Sequence, residues 1–123
     1  MISWGRILYG AGLTVVLVVT AVFVLTRRPR HAAVVVCAVV AAAGGPIGWN
    51  AILRATHASE FFTDAPVTVF PASWQDFGSG VFTLAAAMVL LSLGPLRSDT
   101  AVRALRLAAL CGAVAFLVDI YLY

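Results

Sequence analysis

The sequence has no lysine, and its 123 residues carry only eight arginines and five acids. Charged residues make up 11 % of the chain, against ~25 % in a typical soluble domain. Hydrophobic residues make up 63 %, and the mean hydropathy is +1.03. A single soluble domain of this length buries too little surface to hide that much apolar material. The eight arginines sit at the edges of apolar runs and form no basic face, which excludes nucleic-acid binding as the reason for the net charge of +3. Cysteine is also scarce. Cys37 and Cys111 lie inside apolar runs, with neither a CxxC partner nor a histidine at ligand spacing. Both read as small buried hydrophobes.

Catalytic and cofactor motifs are missing as well. There is no GxSxG elbow, P-loop, glycine-rich dinucleotide turn or supported Ser-His-Asp order. The expectation is therefore a protein with no cofactor and no catalytic residues. The two histidines, His31 and His57, fall at opposite ends of the apolar runs, which rules them out as a haem pair. The lack of lysine beside abundant Ala and Val points to a GC-rich bacterial genome.

What the chain does have is four apolar runs. A bilayer-crossing helix needs about 20 mostly apolar residues. The runs at about 7–25, 32–53, 77–96 and 103–122 meet that length. The fourth does so only if Arg103 and Arg106 snorkel at one interface and Asp119 sits at the other. The arginine cluster after the first run reads as stop-transfer, so that run is expected to be an uncleaved helix. The expected fold is an all-α integral membrane protein, one domain over residues 1–123. It is a four-helix transmembrane bundle with a structured outer loop between helices 2 and 3.

Six of the eight arginines (Arg27, Arg28, Arg30, Arg97, Arg103 and Arg106) lie in the first and third connections or just beside them. The positive-inside rule places that side in the cytoplasm and both termini outside, in a cell inner (plasma) membrane. Small residues allow close helix approach in lipid. Ala101, Ala104, Ala108, Gly112 and Ala115 form such a stripe in the fourth run, and Asp119 continues it. The second run offers Cys37, Ala41, Gly45 and Gly48, flanked by Ala38, Ala42 and Pro46. Pro46 predicts a kink or local break over Gly44–Gly48, with Trp49 as an interfacial anchor.

The outer connection, from Arg54 to about Asp76, is long and aromatic, with Phe61, Phe62, Phe70, Trp74 and Phe77. It is expected to fold as a lid. Arg54 to Asp64 is a candidate extension of the second helix, and Ser73 with Asp76 has the spacing of a capping box opening the third. His57, Glu60 and Asp64 would share one face of that extension, a spacing that could ligate a divalent cation but reads first as a solvated polar face. Asn50 and Gln75 are expected to hydrogen-bond the lid. Asp119 is expected to pair with Arg54 or Arg6. The polar candidates at the outer face are thus Asn50, Arg54, His57, Glu60, Asp64, Asp76 and Asp119.

With small-residue faces plentiful and intramembrane polar groups sparse, the leading expectation is an accessory, assembly or stabilising subunit. Its partners are the lipid bilayer and either its own copies or another membrane protein. The alternatives are a small-solute or ion transporter using the Gly44–Gly48 break, Asn50 and Asp119, and an enzyme with its site in the outer loop.

Overall fold

Ala, Leu and Val runs with no internal acid before position 119 leave the backbone one economical way to satisfy its polar groups, the α-helix. The structure, a computed structural model, describes residues 3–25, 32–58, 72–97 and 100–122. Those residues form four helices: α1 (Trp4–Leu25), α2 (Ala32–Ala55), α3 (Trp74–Leu93) and α4 (Ala101–Leu122). Each is long and apolar enough to cross a membrane. The boundaries lie within three residues of those read from the apolar runs.

Local chemistry sets several of the helix ends. Ser73 caps α3 in extended geometry: its hydroxyl accepts from Asp76 N–H, and its own N–H donates to Asp76 Oδ2 at 2.7 Å. This is the capping box expected from the sequence, with two orphan donors satisfied reciprocally. Thr100 precedes α4, and its Oγ1 accepts from Arg103 N–H at 3.4 Å.

The end of α2 departs from expectation. The helix does not run on past Arg54 to Asp64; it stops at Ala55. His57 takes a left-handed φ of 54°. His57 N–H donates to Arg54 O and Ala58 N–H to Leu53 O, at 3.3 and 3.1 Å. That pair of bonds is a Schellman motif, which terminates a helix by turning the chain at one left-handed residue.

Of the kink or local break expected over Gly44–Gly48, the break is absent: α2 stays helical from Ala32 to Ala55 with Pro46 inside it. Proline removes the donor that Ala42 O would otherwise receive. One turn on, Asn50 folds its side chain back along the helix, its Nδ2 donating to Pro46 O at 2.9 Å.

Each helix packs on its neighbours in sequence, and α4 closes the ring on α1. Trp4 meets Arg54, and Gln75 meets Asp119, so the start of α1, the end of α2, the start of α3 and the end of α4 share one end of the bundle. We call this the terminal end and the other the connector end. The connector half holds the apolar core, with Val18, Val22, Val34, Ala38, Ala87, Leu91, Ala104 and Leu107 among its members.

The small-residue stripes face inward in most of their members. Ala104, Ala108, Gly112, Ala115 and Asp119 are buried on α4, and Ala38, Ala41, Ala42, Gly45 and Pro46 on α2, whereas Cys37 and Gly48 of the expected α2 face are half-buried. Ala101 is exposed. Helices α3 and α4 approach closely at Gly80 and Gly112. A Cβ on Gly112 would stand 2.8 Å from Gly80 O and 2.9 Å from Leu84 Cβ. Glycine is what permits that contact. On the other side of α3, Gly45 lies directly on Thr83, and Gly78 gives room to the Trp49 indole.

Candidate functional site

Helix α3 carries a line of buried residues at four-residue steps, Gln75, Ser79, Thr83, Ala87 and Leu91, with Asp76 and Gly80 buried beside it. The four-residue spacing keeps them in line. Their character changes along that line, polar at the terminal end and apolar beyond Thr83. Facing the polar half are Asn50 from α2 and Asp119 from α4. Asn50, Gln75, Ser79, Thr83 and Asp119 are each no more than 1 % exposed.

Gln75 is the hub of this cluster. Its Nε2 lies 3.1 Å from Asp119 Oδ2, 3.3 Å from Ser79 Oγ and 3.4 Å from Asn50 Oδ1. Its backbone carbonyl accepts from Trp49 Nε1 at 3.0 Å. One residue thereby ties α2, α3 and α4 together. Two buried oxygens in the same region receive nothing: Asp119 Oδ1 and Thr83 Oγ1. Buried polar atoms nearly always have partners, so two orphans within one cluster need a physical reason.

The remaining candidates are dispersed. Asp119 accepts from Gln75, not from Arg54 or Arg6. Arg54 is half-buried, and its guanidinium carbon sits 4.7 Å from the centre of the Trp4 ring, a cation–π arrangement. Arg6 is exposed. Asp76 is buried, with its carboxylate engaged by the α3 cap. His57 is exposed on the α2 terminator. Because α2 stops at Ala55, it offers no continuous helical face for His57, Glu60 and Asp64; Glu60 and Asp64 themselves lie outside the described residues. So do Phe61, Phe62 and Phe70 of the expected lid, and Arg27, Arg28, Arg30 and His31. Asn50 and Gln75 turn into the bundle and bond one another.

Sequence reasoning named Asn50 and Asp119 but missed Ser79 and Thr83, and gave Gln75 the wrong partner. The signal was present: Gln75, Ser79 and Thr83 recur at four-residue steps inside an apolar run, and that step is a buried stripe on a helix. An apolar groove of about 600 Å³ also runs between α1 and α4, lined by residues such as Leu13, Leu17, Val114 and Leu117. None of the candidate polar residues lines it. No protein-family model, curated protein or solved structure matches this chain.

Proposed function

We propose that the chain is a multi-pass protein of a bacterial plasma membrane that acts without catalysis, as an accessory, assembly or stabilising subunit. The observation that carries this reading is the Gln75 hub. The polar side chains of α2, α3 and α4 bond one another and hold the bundle together, while large apolar side chains such as Tyr9, Phe23, Val81 and Leu93 point outward. An outward belt of that kind suits lipid or another helix far better than water. The arginine distribution supports both termini lying outside the cytoplasm. Small residues are mostly consumed in internal seams, so contact with its own copies or another membrane protein would use the apolar belt.

The test is purification of the tagged chain in mild detergent, combined with its deletion. The expected result is a membrane protein that co-purifies at fixed stoichiometry and loses abundance when this chain is deleted. A lone species, with every other membrane protein at its normal level in the deletion strain, overturns the reading.

A second reading, carriage of an ion or small solute, is favoured by the two orphaned oxygens Asp119 Oδ1 and Thr83 Oγ1. Intramembrane acids often mark ion or substrate paths. On this reading Asp119→Asn abolishes flux in proteoliposomes while leaving the bundle folded. Unchanged flux excludes Asp119 as the coupling group.

A further inference from the structure

We propose that the groove between α1 and α4 binds one acyl chain of an anionic glycerophospholipid, with Arg6 meeting the lipid phosphate at the terminal end. The groove encloses about 600 Å³ between Leu13, Leu17 and Val24 of α1 and Val114, Leu117 and Tyr121 of α4. Its α4 wall, residues 114–122, belongs to the terminal half of that helix. Its α1 wall, residues 13–24, belongs to the middle and connector part of α1. The groove therefore starts at the terminal end and descends along two helices that are long and apolar enough to cross a membrane.

The lining selects hydrocarbon. Its side-chain polar atoms are the hydroxyls of Thr20 and Tyr121. Thr20 Oγ1 is turned back to Val16 O at 2.8 Å within its own helix. A polar solute entering here would lose water and find almost no partner, which is costly. Width excludes a second helix inside the groove. The α1 wall alone rises roughly 16 Å, so the enclosed volume has a mean section below ~40 Å². A helix with its side chains is about 10–12 Å across, roughly twice that section. An extended hydrocarbon chain is narrow enough, and it restores the dispersion contacts that an unfilled concavity forfeits.

Charge complementarity identifies the headgroup. Arg6, Leu13 and Thr20 recur at seven-residue steps, close to two full turns, so Arg6 continues the groove's α1 face toward the terminal end. Arg6 is exposed in the first turn of α1. The last turn of α4, at the same end of the bundle, brings Tyr121 and Leu122 to the groove's mouth. A guanidinium has five donors in a fork that matches phosphate, so a contact within the chain still leaves donors for a lipid. Tyr121 adds an aromatic ring of the kind that sits at headgroup level. A cation at the mouth favours a lipid of net negative charge over a zwitterionic one. The inference rests on the membrane placement proposed above and on neither the subunit nor the carrier reading, because a lipid held in this seam serves both.

The experiment uses the full chain, extracted from membranes in mild detergent. It is titrated with phosphatidylglycerol or phosphatidylcholine of matched acyl chains, and bound lipid is counted by native mass spectrometry. The expected result is one phosphatidylglycerol per chain, held about fivefold more tightly than phosphatidylcholine, the effect of one arginine near a membrane surface. Arg6→Gln removes that preference. Leu117→Trp, which puts a larger ring into the groove from a half-exposed position, weakens both lipids by a similar factor or more. Val40→Trp, on the outward face of α2, leaves both unchanged. Circular dichroism checks that each variant is folded, and Leu17→Trp replaces Leu117→Trp if the latter is not. Three results overturn the proposal: graded uptake of several lipids with no saturation at one, a full phosphatidylglycerol preference in Arg6→Gln, or unchanged binding in the groove-filling variant. Loss of a dimer instead of a lipid in that variant overturns it in favour of a second copy. A chain recovered from the aqueous fraction overturns the membrane placement as well, which keeps the two failures apart.

Discussion

Gln75 Nε2 stands 3.1 Å from Asp119 Oδ2, joining the first turn of α3 to the last turn of α4 through two side chains that are 44 positions apart in sequence. Both are shielded from water, so neither can exchange its partner for solvent when the other is removed. A buried acceptor stripped of its donor loses about 1–3 kcal/mol. Polar contacts between membrane helices run toward the lower end of that range, because the separated helices find other partners.

Gln75→Leu should therefore lower stability by about 1–2 kcal/mol. The added effect of Asp119→Leu in the Gln75→Leu background should be smaller than in the wild type, since the first change has already broken the pair. Reversible unfolding in mixed micelles, titrated with a denaturing detergent, gives all four corners of the cycle. Strict additivity would show that the short distance carries no coupling.

The glycines separate into two groups with opposite predictions. A Cβ on Gly80 would stand 2.9 Å from Phe116 Cβ, and one on Gly112 would press on Gly80 O and Leu84. Gly80→Ala and Gly112→Ala should each cost about 1–3 kcal/mol, the usual penalty for overpacking a seam. Gly12 and Gly44 have nothing within 4 Å of an added Cβ. Gly12→Ala and Gly44→Ala should be neutral, or stabilising by up to ~1 kcal/mol through helix propensity. The same detergent titration checks all four. Equal effects at Gly12 and Gly112 would contradict the close approach of α3 and α4.

The helices were legible in the sequence because apolar run length is a direct physical requirement, and Ser73 with Asp76 was legible because a capping box is local. The α4 stripe was legible because Ala and Gly at three- and four-residue steps have few other uses in an apolar helix. What the sequence did not yield were the side-chain partnerships. Asp119 has Arg54 and Arg6 near its level, and charge alone would choose one of them. The choice of Gln75 instead depends on helix rotation, which puts Arg54 over Trp4. Pro46 alone left a kinked helix and a broken one both open, because the lost bond is local while continuity is decided by packing; α2 stays helical through it, with Gly45 seated closely on Thr83.

His57 makes a prediction that runs against the usual direction of mutation. It occupies the left-handed position of the α2 terminator at φ 54°, a conformation that costs a residue with a Cβ about 1–2 kcal/mol and glycine almost nothing. His57 is exposed, and among the described residues its side chain has no hydrogen bond that offsets this. His57→Gly should raise stability by about 0.5–1 kcal/mol, less than the full strain because glycine also frees the unfolded chain. His57→Val should lower it by a similar amount or more, since a β-branched residue fits that region worst. If His57→Gly lowers stability, the imidazole has a role beyond closing the helix.

The proposed orientation rests on charge, and it can be read with single cysteines. Ser3 and His57 belong to the terminal end, because Trp4 and Arg54 touch. Ala101 opens α4 at the connector end, two residues before Arg103 and beyond Arg97. Retaining arginine on the cytoplasmic side is favoured by the insertion process, and the excess at the connector end directs that end inward. With Cys37 and Cys111 replaced by alanine, Ser3→Cys and His57→Cys should react with an impermeant maleimide on intact cells. Ala101→Cys should react only after the membrane is opened. The mirror pattern would invert the orientation while keeping the bundle. Different sidedness for Ser3→Cys and His57→Cys would be more serious, because two positions at one end of an antiparallel helix pair cannot face opposite compartments if both helices cross.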